Sequence, residues 1–262
     1  MPDEEQKPLE IILATHNNYE MTAWCLKWLY ASTELPFRLV VVDDSDDLTR
    51  LIWRDYKKRY GNIKVIRPKE KITSGNQIIN AGLKATEGDI VCFMTNNTVV
   101  EPQWAIAALD FMKGNENVGV MGFKLLKPGG SIEHAGIAFF PGMEHHVNYG
   151  VGDSANRHTY FRNIGIVGWA LVLLRRRAMP EGGLDEKSYH GFRGYDDIDN
   201  CLTIQQQGWQ IIYCGMGSAY HFALDTRGKV LGENELKEIE ENRVIFTKKW
   251  GEQIAQGKAS VI

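Results

Sequence analysis

An α/β fold built on a doubly wound, mostly parallel sheet is the architecture this sequence predicts. Three observations lead to it. Through roughly the first 120 residues, short apolar runs alternate with segments of helical periodicity. The runs are nearly apolar throughout, as strands covered by helices on both faces must be. And 262 residues can bury a substantial core, in one large domain or two small fused ones.

Taken in order, Leu9–Ala14 is the first strand, and Tyr19–Ser32 has apolar residues at helical spacing. Phe37–Asp44 is the second strand. The amphipathic run Asp47–Tyr60 is a helix stopped by Gly61. Asn62–Arg67 is a short third strand ahead of Pro68. Ser74–Gly88 reads as a helix, with Ser74 and Gln77 at capping-box spacing and Gly88 just past its end. Asp89–Thr95 is the fourth strand and Pro102–Gly114 another helix. This βαβαβαβ order implies parallel strands joined by crossover helices.

The second half breaks the rhythm. Val118–Phe140 reads as strands around the turn Pro128-Gly129-Gly130. Residues 141–163 are polar, Gly-containing and aperiodic, and a loop that long is usually functional or mobile. Ile164–Arg176 is a buried strand, Tyr195–Trp209 a helix with acids at its start, and Gln210–Gly215 a strand. A last helix runs from about Glu233 to Trp250. The chain thus divides into a nucleotide-fold half, 1–122, and a mixed half, 123–262, within one domain. It contains no internal repeat and no low-complexity segment.

A net charge of −3 argues against general affinity for nucleic acid or anionic membranes. The basic run Arg175-Arg176-Arg177 reads as a solvated strand end. Cys25, Cys92, Cys201 and Cys214 are widely spaced, which suits buried thiols in a reducing compartment. No apolar run approaches 18 residues or so, and no membrane span is expected. The acidic, polar start is unlike a secretory signal, so the expected location is cytoplasmic.

No GxGxxG follows the first strand, and neither a phosphate-binding GxxxxGK[ST] nor a GxSxG elbow occurs, which disfavours dinucleotide oxidoreductases, P-loop enzymes and α/β-hydrolases. Ligands of open α/β sheets bind beyond the carboxyl ends of the strands. That directs attention to Thr15-His16-Asn17, Asp43-Asp44 and Thr95-Asn96-Asn97-Thr98. Asp43 and Asp44 either cap the following helix or accept hydrogen bonds from a base or ribose. Gly75, Asn76 and Asn80 sit where a helix start offers N–H groups to phosphate or sugar oxygens, unless Ser74 merely caps it. Asp196-Asp197-x-Asp199 opens a helix; acids there oppose the dipole, but three exceed what capping needs, and one can serve as a general base. Trp169, after Gly168, is either core packing or a face for a sugar ring. His134, His145 and His146 lack acids at ligand spacing and read as strand and loop polarity.

Several stretches, in this order, carry a resemblance: "IILATHNN", "VVDDSDD", "SGNQIINAGLKATEGDIVCFMTNNTVV", "GSIEHAGIAF", "GYDDIDNCLTIQQQGW", "AYHF" and "ENRVIFTKKWG". Together they resemble the family 2 glycosyltransferases of GT-A fold over nearly the whole chain, and more closely the rhamnosyltransferase-like branch. The resemblance implies an inverting glycosyltransferase of hexosyltransferase type, taking a UDP- or dTDP-linked sugar to an acceptor hydroxyl. Residues 1–122 would then bind the nucleotide sugar, and 123–262 supply the acceptor side, the catalytic base and the C-terminal helix. Asp44, with Asp43 beside it, would hold the base, framed by Thr15, His16 and Asn17. Gly75, Asn76 and Asn96 would lie near the nucleotide, and Gly168 and Trp169 near the sugar and acceptor. Asp197 would be the general base and Asp196 its acceptor-binding neighbour. The loop at 141–163 would be a lid that closes over the donor.

The family's fourth-strand loop usually ends in an acid that holds Mg²⁺ or Mn²⁺ against the donor diphosphate; here Asn97 takes its place. Hard cations want oxygen ligands, and an amide oxygen brings no charge. His221 matches the family's metal-binding histidine. The expectation is therefore a weakly held, donor-assisted Mn²⁺ or Mg²⁺ on Asn97 and His221. The metal-free alternative has Arg193, Arg227 or Lys229 neutralise the diphosphate. Rival readings are an inactive sugar-nucleotide binding protein and, with less support, a nucleotidyltransferase. The acceptor is a glycan, lipid or other hydroxyl, and a homodimer is allowed.

Overall fold

The computed structural model describes residues 7–140, 143–146, 151–153, 158–191, 194–222 and 232–256. Four parallel strands form the first half: β1 (Leu9–Thr15), β2 (Phe37–Asp43), β3 (Ile63–Ile66) and β4 (Ile90–Thr95). They lie in the order β4-β1-β2-β3. Helices α1 (Tyr19–Ser32), α2 (Thr49–Tyr60) and α3 (Gly75–Lys84) make the crossovers. Every residue of β1 is buried. Ile12 and Ala14 enter one core, and Ile11 and Leu13 the other, because successive strand residues point to opposite faces. That double burial is why the strand is apolar at consecutive positions.

The same sheet continues through the second half: β5 (Thr98–Val100), β6 (Val118–Leu126), β7 (Ile132–His134), β10 (Phe161–Asn163), β11 (Leu171–Arg175) and β12 (Gln210–His221). Its path is β10-β12-β6-β11-β4-β1-β2-β3, with β5 on β12 and β7 on β6. β11 is antiparallel to both β4 and β6, so the sheet is mixed. β8 (Ile137–Phe140) and β9 (Met143–His146) pair separately. Position 122 lies inside β6, so the two halves share one sheet.

Helix α4 (Ile106–Gly114) joins α1 and α2 over the core that holds Leu26, Val41 and Met112. The opposite core gathers α3, α5 (Asp196–Gln206) and α6 (Glu233–Ala255), through Ile79, Ile198, Phe246 and Trp250. Helix α3 approaches β1 closely at Gly82, where a Cβ would stand 2.3 Å from the Ile12 side chain. The four cysteines are buried free thiols.

Local expectations failed where the partner is remote in sequence. The capping box on α3 does not form: Gln77 accepts the Thr73 N–H (2.8 Å), and the Ser74 hydroxyl turns to the Glu186 carbonyl (3.5 Å). The helix ends at Lys84, ahead of Gly88. Phe161–Asn163, expected as loop, is β10, while the expected strand from Ile164 begins only at Leu171. Of the basic run, Arg177 is exposed, but Arg175 and Arg176 are not a solvated strand end. Arg175 is buried, pairs with Asp89 (2.8 Å) and donates to the carbonyl of Met112 at the end of α4. Arg176 donates to the carbonyls of Leu83 and Gly88 (both 2.9 Å). Guanidinium groups thus satisfy helix C-terminal carbonyls.

Candidate active site

A crevice of about 680 Å³ opens at the carboxyl ends of β1 and β4. Its walls hold Thr15, His16, Asn17, Gly75, Asn96, Asn97, Gly168, Trp169, Asp196, Asp197 and His221. Three of the expected residues, Asp43, Asp44 and Asn76, are not among its lining residues.

At the β1 end the chain turns through left-handed backbone at Asn17 (φ 53°) and Asn18 (φ 64°), a conformation asparagine tolerates better than most residues. The Asn17 carboxamide oxygen accepts the N–H groups of Asp46 (2.9 Å) and Asp47 (3.2 Å), tying this turn to the loop after β2. Its carboxamide oxygen therefore ties two loops together beside the crevice. Thr15 is buried, and its hydroxyl has no hydrogen-bond partner. His16 is exposed, with Nδ1 3.1 Å from the Asp44 carbonyl oxygen and 3.6 Å from its carboxylate.

Asp43 lies behind the crevice. Its carboxylate accepts from the Ser45 N–H (3.1 Å), the Trp53 indole N–H (2.9 Å) and Arg67 (3.3 Å), and is completely buried. Asn76 also lies outside the lining of the crevice. Its carboxamide pairs reciprocally with that of Asn200 (2.7 and 3.2 Å) and donates to the Asp185 carbonyl (2.8 Å). The neighbouring Asn80 is also spent, on Leu184 and Glu186. These asparagines fasten α3 to the second half and hold Gly75 at the crevice wall.

At the β4 end the Asn96 amide donates to the Thr22 hydroxyl (2.7 Å) and the Asn17 carbonyl (2.9 Å). The Asn97 carboxamide oxygen accepts the Thr95 hydroxyl (2.6 Å). Asn97, in the turn just before β5, adjoins His221 at the end of β12: His221 is the cross-strand partner of Thr98, and the Phe222 N–H donates to the Asn97 carbonyl (2.9 Å). His221 Nδ1 lies 3.1 Å from both carboxylate oxygens of Glu133.

Across the crevice, α5 begins after Tyr195, which holds left-handed backbone (φ 73°). The Asp197 carboxylate accepts the Ile198 N–H (2.9 Å) and the Trp169 backbone N–H. Burial pushes its pKa above the usual carboxylate range. Burial, then the charge of Asp197, does the same to Asp196. Asp199 points the other way, into the core, where Tyr189, Lys249 and Trp250 donate to it. Trp169 lines the crevice but is buried, with its indole N–H on the Cys201 sulfur (3.3 Å). The His134 ring nitrogen Nε2 accepts the backbone N–H groups of Gly168 (2.9 Å) and Gly136 (3.2 Å), so this histidine shapes the wall.

The profile described as "Glycosyl transferase family 2" matches residues 10–183. The chain belongs to glycosyltransferase family 2. The match spans β1 to the residues after β11. Solved structures share the GT-A fold. One is "GalNAc-T7 with UDP, GalNAc and Mn2+", at TM-score 0.68 and 14% identity, covering 96% of this chain and 52% of that one. A fragment of S. aureus TarS in complex with UDP-GlcNAc aligns at TM-score 0.62 and 17% identity, covering 91% and 65%. The mannosyltransferase PcManGT from Pyrobaculum calidifontis, in complex with GDP-Man and Mn²⁺, aligns at 0.61 and 14%, covering 97% and 76%. A curated relative, "Uncharacterized protein y4gI" of Sinorhizobium fredii, is 26% identical over 202 residues. That alignment takes in 73% of this chain and only 22% of the relative.

Among the described residues, no helix is long and apolar enough to cross a membrane. Arg193, Arg227 and Lys229, the metal-free alternative, lie outside the described residues, as does part of the expected lid at 141–163. Glu133, Tyr195, Asn200 and Glu235 also line the crevice and were missed. For Glu133 a signal existed: a lone acid between the buried residues Ile132 and His134 of a short strand.

Proposed function

We propose that this family 2 member is an inverting glycosyltransferase that moves a sugar from a UDP- or dTDP-linked donor to an acceptor hydroxyl. The observation that carries the reading is the placement of Asp197. Its carboxylate lines the crevice at the start of α5 and accepts the Ile198 N–H there. Inversion needs a base on the side of the sugar away from the leaving diphosphate. Asp197 takes the proton of the acceptor hydroxyl as its oxygen bonds to the anomeric carbon; the carbon–oxygen bond to the diphosphate breaks, and the nucleoside diphosphate departs with that electron pair. A carboxylate with a raised pKa is a stronger base than an exposed aspartate, and its two N–H donors fix its orientation.

The nucleobase and ribose sit at the β1 end, against Thr15, His16 and the Asn17 backbone, with Asp44 behind His16, outside the lining of the crevice. Asp196 and Trp169 face the acceptor and the transferred sugar. Asn97 and His221 supply an amide oxygen and an imidazole nitrogen, with Glu133 beside them. Oxygen and nitrogen donors of this kind fit Mn²⁺ better than a softer metal, and the donor diphosphate would supply its remaining ligands. Such an ion, when bound, neutralises the diphosphate. The Mn²⁺ in two of the similar structures supports this reading.

The test is a thermal-shift panel of UDP, dTDP and GDP and their sugars, deoxyhexoses included, with and without Mn²⁺, followed by assay of nucleoside diphosphate release with glycan and lipid acceptors. A bound donor raises the midpoint by mass action. Release that depends on acceptor supports transfer. Donor binding without release supports a binding protein, and pyrophosphate a nucleotidyltransferase.

A further inference from the structure

The crevice has a charge deficit at its β4 end. Asn97 is neutral, and one lone pair of its carboxamide oxygen is already engaged by the Thr95 hydroxyl. His221 is the other group there, and a neutral imidazole adds no charge. Yet a carboxylate stands directly behind that imidazole. Both oxygens of Glu133 lie 3.1 Å from His221 Nδ1, and both side chains are largely buried, at 14% exposure for His221 and 20% for Glu133. The pair is set by the sheet. β7, which bears Glu133, and β12, which ends at His221, flank opposite edges of β6 near its carboxyl end.

A carboxylate can only accept at this spacing, so the nitrogen facing it carries the proton. In the neutral imidazole the other nitrogen, Nε2, is then the one with a lone pair. Carboxylates that hold ligating histidines in this manner fix the tautomer and ring orientation and add negative charge next to the cation. We propose that Glu133 is the positioning residue for His221. It keeps His221 as the Nδ1–H tautomer with Nε2 ready to bind the donor's divalent cation, and it returns to the site the negative charge that Asn97 lacks. This rests on the cation-assisted reading of the crevice given above.

Two measurements on the full chain test it. The first uses ¹⁵N-histidine NMR on the metal-free protein, with His221 assigned by the signal lost in His221→Gln. Protonated Nδ1 and unprotonated Nε2 are expected; an Nε2–H tautomer overturns the proposal. The second titrates Mn²⁺ by electron paramagnetic resonance in the presence of UDP, dTDP or GDP. Glu133→Gln keeps the shape of the side chain but not its charge, and is expected to weaken Mn²⁺ binding about 10–100-fold, on the scale of other outer-shell substitutions. Glu133→Asp should recover part of the loss. Adding Glu133→Gln to His221→Ala should cost little more than His221→Ala alone, because a positioning residue acts through the residue it positions. Wild-type Mn²⁺ uptake that is unchanged in Glu133→Gln overturns the role of Glu133 and leaves the crevice reading standing. Absence of uptake by the wild-type protein with every nucleotide overturns the cation reading and this inference with it.

Discussion

A side-chain carbon on Gly75 would stand 3.0 Å from a carboxylate oxygen of Asp196. The start of α3 and the start of α5, 121 positions apart, therefore meet with room for a glycine and little else. Gly75→Ala is expected to displace Asp196 by a few tenths of an ångström. The backbone at Gly75 is helical, where alanine is no less favourable than glycine, so stability should hold within about 1 kcal/mol. Turnover should fall roughly tenfold, because small misplacements near reacting groups are costly. Denaturant unfolding and steady-state kinetics on the same preparation check both halves.

Asp197 and Asp199, two residues apart, should respond oppositely to substitution. Folding raises the Asp197 pKa, chiefly through burial, so the native state holds its proton more tightly than the unfolded chain. Stability is then penalised as pH climbs past the ordinary aspartate value near 3.9, and the penalty is complete above the raised native value. Asp197→Asn removes the penalty and should raise the melting midpoint at pH 7. Asp199→Ala strands the Lys249 ammonium and the Trp250 and Tyr189 donors, and should cost about 3 kcal/mol. Calorimetry of the two variants at pH 7 reads the opposite shifts.

The same burial sets the pH profile of turnover. Transfer needs Asp197 ionised, so the acid limb of kcat/KM, which reports the free enzyme, should have its midpoint at about 6, higher than an exposed aspartate would give. A limb near pH 4 would assign the base to a different, solvated carboxylate.

Asp43 and Asp44 are adjacent and should separate cleanly. Asp43→Ala leaves the buried Trp53 indole N–H and the Ser45 N–H without partners and should destabilise the fold by roughly 1–3 kcal/mol. Asp44→Ala should leave the melting midpoint within a degree or so of wild type, since its carboxylate pairs with the exposed His16 at 3.6 Å, but should weaken nucleoside diphosphate binding. Equilibrium dialysis with UDP and dTDP, paired with thermal melts, distinguishes the two roles.

The parallel half was legible because its information is local. β1, β2 and β4 are apolar at successive positions for want of a solvent face, and Gly61 ends α2 in the left-handed conformation expected of it. The strand-end rule then led to Thr15, Asn96 and Asn97, while Asp197 stood out as one of three acids opening a helix. The remainder depends on partners far away in sequence. Nothing near Asp43 reveals that Trp53 and Arg67 consume its carboxylate. Nothing near Asn76 reveals Asn200, 124 positions on. Arg175 and Arg176 look like a charged strand end until the ends of α3 and α4 arrive beneath them. Glu133 acquires its meaning only when β7 and β12 come to flank β6.

The most direct test is the effect of Asp197→Asn on acceptor-dependent release of nucleoside diphosphate, measured beside the donor dissociation constant. The predicted result is a loss of at least about a hundredfold in turnover with donor affinity unchanged, as expected when a general base alone is removed. Near-normal turnover in this variant would contradict the account.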